Sequence, residues 1–171
     1  YSADIREEIV DVIDASNVIT RNRYGARVLN TESVTIIDID KHRKTFWENF
    51  GIGKRPNKAA IVEDLDKIAK RPEFLKIGFR VYETHQGVRV IVTGRYHDPN
   101  SAEGRRLLWL SHADRLYAVL CRKQKCYRAR LTPKPHRIKQ KPIKYQWPME
   151  AEELKSARTW IEEYKTKSEQ Q

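Results

Sequence analysis

The chain has 171 residues, 39% of them hydrophobic and 33% charged, with a net charge of +11. This balance describes one polar globular domain with a real core and excludes a disordered chain. No apolar run nears the roughly 20 residues that a membrane span needs, and two cysteines exclude a disulfide scaffold. With no secretory pattern at the N-terminus, the expectation is a cytoplasmic protein with no membrane partner.

Residues 3–14 place Ile5, Ile9, Val12 and Ile13 at helical spacing behind Ser2, a candidate N-cap, which predicts a core-facing helix. Residues 17–20 and 26–29 are β-prone around Tyr24-Gly25 and predict a hairpin leading toward a central strand. Arg21, Arg23 and Arg27 in or beside its turn suit either phosphate contact or a solvated turn.

The run Ser33-Val-Thr-Ile-Ile-Asp-Ile-Asp40 predicts that central, buried strand. The side-chain period of two puts Asp38 and Asp40 on one face at its end. Two carboxylates there cannot be desolvated without compensation. They must meet water, cations such as those of Lys41, His42 and Arg43, or a divalent ion. Mg²⁺ or Mn²⁺ takes such oxygen ligands, with substrate phosphates completing the octahedron.

Residues 41–55 carry Phe46, Trp47 and Phe50 and predict a short helix ended by Gly51 and Gly53. The Gly51-x-Gly53-Lys54-Arg55 stretch lacks phosphate-loop spacing. Residues 57–70 predict an amphipathic helix, capped by Asn57, with Ile61, Leu65, Ile68 and Ala69 inward and Pro72 as the stop. Residues 75–84 and 88–93 predict a hairpin around His85-Gln86-Gly87, with His85 in the turn and Arg89 just inside the second strand. Helices are expected over 101–111 and 114–123, burying Leu107, Leu108, Leu110, Leu116, Val119 and Leu120.

Cys121 and Cys126 have no second ligand pair at zinc spacing and are expected as buried thiols. Residues 126–131 predict a strand with Arg128 and Arg130 on one face. Residues 132–148 form a proline-rich basic connection, and residues 150–167 a C-terminal amphipathic helix. Of the chain's 34 Lys and Arg, 11 lie within 115–149, where there is no Asp or Glu; the other 23 are matched by the 23 Asp and Glu elsewhere. A basic stretch is most often a solvated face, but concentrated charge is also the electrostatic footprint of a phosphate-backbone binder. DNA or RNA is therefore the expected partner. Arg122, Lys123, Arg128, Arg130, Lys134, Arg137 and Lys139 are its candidate contacts, with Tyr127, His136, Tyr145 and Trp147 as stacking platforms.

The order of helix, strand bearing Ile37-Asp38-Ile39-Asp40, helix, and hairpin bearing Thr84-His85-Gln86-Gly87-Val88-Arg89 resembles the archaeo-eukaryotic primase-polymerase superfamily, over roughly residues 33–95. That superfamily includes the polymerase domains of bacterial end-joining ligases and plasmid primases. The two motifs stand about 45 residues apart, as in that family. The resemblance implies that Asp38 and Asp40 hold catalytic Mg²⁺ or Mn²⁺. It also implies that the hairpin, through Arg89 and His85, holds a nucleoside triphosphate. Arg89 stands where the family has a histidine, and Asp98 and Asp114 are the aspartates that remain for its third carboxylate before the acid-free segment. The stretch from Asp98 to Pro135 resembles bacterial proteins that imply no activity.

The expected fold is α+β, a mixed or mostly antiparallel sheet with helices packed on it and a C-terminal helix closing it. The expected function is a nucleic-acid-binding protein, as a metal-dependent nucleotidyltransferase of primase-polymerase type. The alternatives are a non-catalytic nucleic-acid-binding module, a metal-dependent nuclease or phosphodiesterase, and a domain whose basic face meets an acidic protein.

Overall fold

A computed structural model describes residues 5–40, 58–84, 87–144 and 146–170. Its elements are those of an α+β chain with two antiparallel sheets and a C-terminal helix. The chain divides into two compact units. One joins the residues up to Glu32 with those from Arg128 onward, and the other is Ser33–Tyr127.

The first unit is built on a four-stranded sheet of order β1-β2-β3-β7, from β1 (Glu8–Asp14), β2 (Asn17–Arg21), β3 (Arg27–Thr31) and β7 (Tyr127–Arg130). The expected hairpin is β2–β3, paired from Asn17 opposite Thr31 to Arg21 opposite Arg27. Its turn is tied by Asn22, whose Oδ1 accepts from the N–H groups of Tyr24 and Ala26. Gly25 has φ +80°, and a Cβ there would collide with the ring of Trp160. The position is closed to any other residue on both counts.

The helix expected over residues 3–14 is strand β1, at the edge of this sheet. Bulges lie between Ile9 and Asp11 and between Val12 and Asp14. Each adds a residue to β1, so Glu8, Asp11 and Asp14 face one way while Ile9 and Val12 face the other. A doubly bulged strand thus acquires a period of three that imitates one face of a helix. The expectation of burial also gives way: Ile9 is 62% exposed and Val12 61%. Bulges and three carboxylates blunt this edge against strand addition. The C-terminal helix α4 (Ala151–Glu169) buries Ala157 and Tyr164. It stacks Trp160 on Tyr164 at 4.9 Å and is tied to the connection before it, Trp160 Nε1 donating to the Lys141 carbonyl at 2.8 Å.

The second unit carries a three-stranded sheet of order β4-β6-β5, from β4 (Ile36–Asp40), β5 (Gly78–Thr84) and β6 (Gly87–Thr93), with helices α1 (Lys58–Ala69), α2 (Ala102–Leu110) and α3 (Arg115–Gln124). The strand expected to be central, β4, is at its edge, and β6 is in the middle. Ile37, Ile39, Val88, Val90 and Val92 point to one face and are almost wholly buried. They share the core with Leu65, Ile68, Phe74 and Leu107, each buried side chain contributing about 1.5–3 kcal/mol. Ser101 and Asp114 cap α2 and α3, accepting from the N–H groups of Gly104 and Tyr117.

Leu116 and Val119, expected in the core, are exposed. The inward side of α3 instead carries half-buried Tyr117 and buried Cys121, four residues apart, which leaves Leu116 and Val119 on the outer flank. Both cysteines are buried free thiols, as expected. The helix and loop expected over 41–55, and the cap Asn57, lie outside the described residues.

Candidate functional site

The second unit's sheet brings the two sequence motifs together. Strands β4 and β6 pair antiparallel with Asp38 opposite Arg89 and Asp40 opposite Gly87. On the far side of β6, Tyr82 of β5 stands opposite Arg89. One face of the sheet therefore bears a row Asp38, Arg89, Tyr82, with Asp40 and Thr84 beside it, while the other face is the apolar core. Gly87 permits this arrangement: a Cβ there would overlap the carbonyl oxygen of Ile39 and crowd the Cα of Asp40. A side chain at Gly87 would push the hairpin off β4.

Asp38 and Arg89 answer one another. Both Nε and Nη2 of Arg89 donate to Oδ1 of Asp38 at 3.2 Å, with the side chains 22% (Arg89) and 27% (Asp38) exposed. A partly desolvated carboxylate needs such a cation. A divalent ion at Asp38 would have to displace or share this oxygen with the guanidinium. Asp40 is exposed at the strand end and has interactions of its own. Among the described residues, no three His, Cys, Asp or Glu side chains gather as a metal ligand set. His85 lies outside the described residues.

The outer edge of β4 is sealed by the start of α3. The carbonyl of Asp38 accepts from the Asp114 N–H and that of Ile36 from the Tyr117 hydroxyl, both at 2.9 Å. Burial pushes the Tyr117 hydroxyl well above the ordinary phenol range, with smaller contributions from Cys121 and Asp38. It is a fixed donor, not a proton carrier. Asp114 is thus a helix cap, and Asp98 is a turn residue accepting from the Asn100 N–H at 2.8 Å. Both aspartates after the hairpin have a local structural task.

The basic candidates have different surroundings. Arg122 and Lys123 are exposed in the last turn of α3, where cations also complement the helix dipole. Arg128 is committed within the first unit: its Nη2 lies 2.5 Å from Oε2 of Glu7, which accepts from Thr20 as well, and Thr20 in turn accepts from Asn30. Arg130 is half-buried on the same strand. Lys134, Arg137 and Lys139 surround a 3-10 turn, Pro135–Ile138, that interrupts the expected extended connection; Lys139 is exposed and the other two half-buried.

Of the expected stacking residues, His136 is exposed and Trp147 half-buried, while Tyr145 lies outside the described residues. Tyr127 is wholly buried, its hydroxyl donating to the His97 carbonyl at 2.7 Å, so it belongs to the core. A buried strand start following Cys126 hides an aromatic ring that the sequence places among cations. No family model, curated protein or solved structure matches the chain.

Proposed function

We propose that this chain is a nucleic-acid-binding module in which Asp38 and Arg89 hold the sheet together and the acid-free basic segment meets the phosphate backbone. The observation that carries this reading is the placing of the whole net charge of +11 within residues 115–149. Exposed Arg122, Lys123 and Lys139 are the side chains there best able to displace counterions from a nucleic acid. Arg128, already neutralised by Glu7, is a positioning residue for the sheet.

A second reading keeps catalysis. Strand β4 and the β5–β6 hairpin, which carry the two motifs of that reading, are neighbours in one antiparallel sheet. In that case Asp38 and Asp40 hold Mg²⁺ or Mn²⁺ once Arg89 swings to the triphosphate, which its planar fork suits. The two readings separate in two titrations, one with an oligonucleotide and one with a nucleoside triphosphate. Binding of a labelled oligonucleotide that is unchanged by EDTA, with no calorimetric heat from nucleoside triphosphate plus Mn²⁺, supports the non-catalytic module. Triphosphate binding that needs the metal and is lost in Asp38→Ala/Asp40→Ala supports the enzyme.

A further inference from the structure

Within the second unit, α1 and α2 leave a groove of about 310 Å³ lined by Asp64, Lys67, Ile68, Arg71, Trp109 and Leu110, with His112 at its rim. That volume is at the lower end of small-ligand sites, roughly 300–1,000 Å³. Trp109 is 77% exposed, although it lies in the apolar run Leu107-Leu108-Trp109-Leu110, whose first two leucines are buried. Helical phase explains its position. Arg105 and Arg106 precede it by four and three residues, so these three share the outer stripe of α2, while His112 lies two residues past the helix in a left-handed conformation. A large flat ring is thus presented to solvent in a groove that also carries Lys67 and Arg71, whose surface partners are Glu63, Asp64 and Glu73.

We propose that this groove is a nucleotide subsite for single-stranded nucleic acid: an unpaired base stacks on Trp109, and its phosphate is met by Lys67 and Arg71. The inference rests on the nucleic-acid reading above and deepens it. Base stacking on an exposed aromatic is sequence-tolerant, and it requires an unpaired base. Asp64 Oδ1 is held by Lys67 at 3.2 Å and Oδ2 lies 3.3 Å from His112 Nε2. Lys67 also meets Glu63 at 3.0 Å, and Arg71 lies 4.0 Å from Glu73. These pairs are solvent-exposed, unlike Arg128 with Glu7, so a phosphate can exchange for them. The Lys67 and His112 contacts hold the Asp64 carboxyl below the usual carboxylate range, the Lys67 bond being the largest cause. Asp64 therefore remains the anchor that orients Lys67 and His112 around the ring. An apolar peptide side chain is the competing occupant; the lining, with Lys67 and Arg71 against the single carboxylate of Asp64, favours the anionic one.

The test uses a labelled single-stranded oligonucleotide and a blunt duplex of the same length, titrated into the full chain carrying Trp109→Ala, Trp109→Leu or Trp109→Phe. The exposure of Trp109 makes each variant compatible with folding, which circular dichroism checks. The expected result is single-strand affinity about tenfold weaker for Ala and Leu, largely retained for Phe, with duplex affinity within about twofold throughout. Wild-type single-strand affinity in Trp109→Ala, or full retention in Trp109→Leu, overturns the subsite. If Arg122→Gln/Lys123→Gln/Lys139→Gln loses binding while Trp109→Ala does not, the subsite fails and the nucleic-acid reading stands. If the wild-type chain binds neither probe, the reading fails and the subsite with it.

Discussion

Arg89 faces Asp38 across two antiparallel strands and places two guanidinium nitrogens 3.2 Å from the same carboxylate oxygen. The two side chains singled out for separate chemical tasks are thereby each other's counter-charge. A double-mutant cycle with Asp38→Asn and Arg89→Met measures the consequence. Arg89→Met leaves a partly buried carboxylate without its cation and is expected to cost roughly 1–3 kcal/mol. The double variant is expected to cost less than the sum of the singles, with a coupling of about 1 kcal/mol. Urea unfolding of the four proteins gives the numbers, and strict additivity would show that the contact contributes nothing.

Gly87 is the hinge point of that face, because β6 starts against the backbone of Ile39 and Asp40. Gly87→Ala is expected to destabilise by more than about 2 kcal/mol through backbone overlap. Hydrogen exchange locates the damage. Amides of β4 and β6 should lose protection together, while those of β2 and β3 keep theirs.

His97 sets a pH dependence. Its ring is fully buried, in edge contact with Phe74 at 5.9 Å, with Nδ1 3.7 Å from Glu103, and neither ring nitrogen has a hydrogen-bond partner among the described residues. Burial holds its pKa below the ordinary value of about 6.5, Glu103 opposing and Arg95 adding to the shift. The unfolded chain therefore binds a proton near pH 6.5 that the folded chain refuses. Stability should be fully present above about pH 7 and fall as the pH drops below 6.5 toward the depressed folded value. Thermal unfolding between pH 7.5 and 5.5 should show this slope, and His97→Leu should flatten it. A slope unchanged in that variant would assign the effect elsewhere.

Glu7 and Arg128 make the opposite claim to the exposed cations. Arg128→Met should cost about 1–3 kcal/mol, since Glu7, which also accepts from Thr20, is left part-buried without its cation, and should change oligonucleotide affinity less than Lys139→Gln does. The reverse ordering, with stability intact and binding lost, would make Arg128 a phosphate ligand.

Much of this fold was legible because its signals are local. The β2–β3 turn, the Gly87 hairpin, the Ser101 and Asp114 caps and the C-terminal helix each follow from residues a few positions apart. What failed was non-local or imitated another period. Glu8 to Asp14 repeats every three residues because two bulges make it do so, and the result reads as a helix. Tyr127 sits among cations in sequence and in the core in space. The β4–β6 register, which sets Asp38 on Arg89, joins residues 51 apart in sequence; the apolar alternation fixes which face each side chain takes but not which residue it meets. Trp109 had a signal that was not used: two arginines one helical turn before it mark an outer face.

The most direct measurement is the salt dependence of oligonucleotide binding, by fluorescence anisotropy, for the wild-type chain and for Arg122→Gln/Lys123→Gln/Lys139→Gln. The account expects log affinity to fall linearly with log salt, and the slope to shrink by about two to three in the triple variant, near 0.7–0.9 for each phosphate contact removed. A wild-type chain with no salt-sensitive affinity, or a triple variant with an unchanged slope, would contradict it.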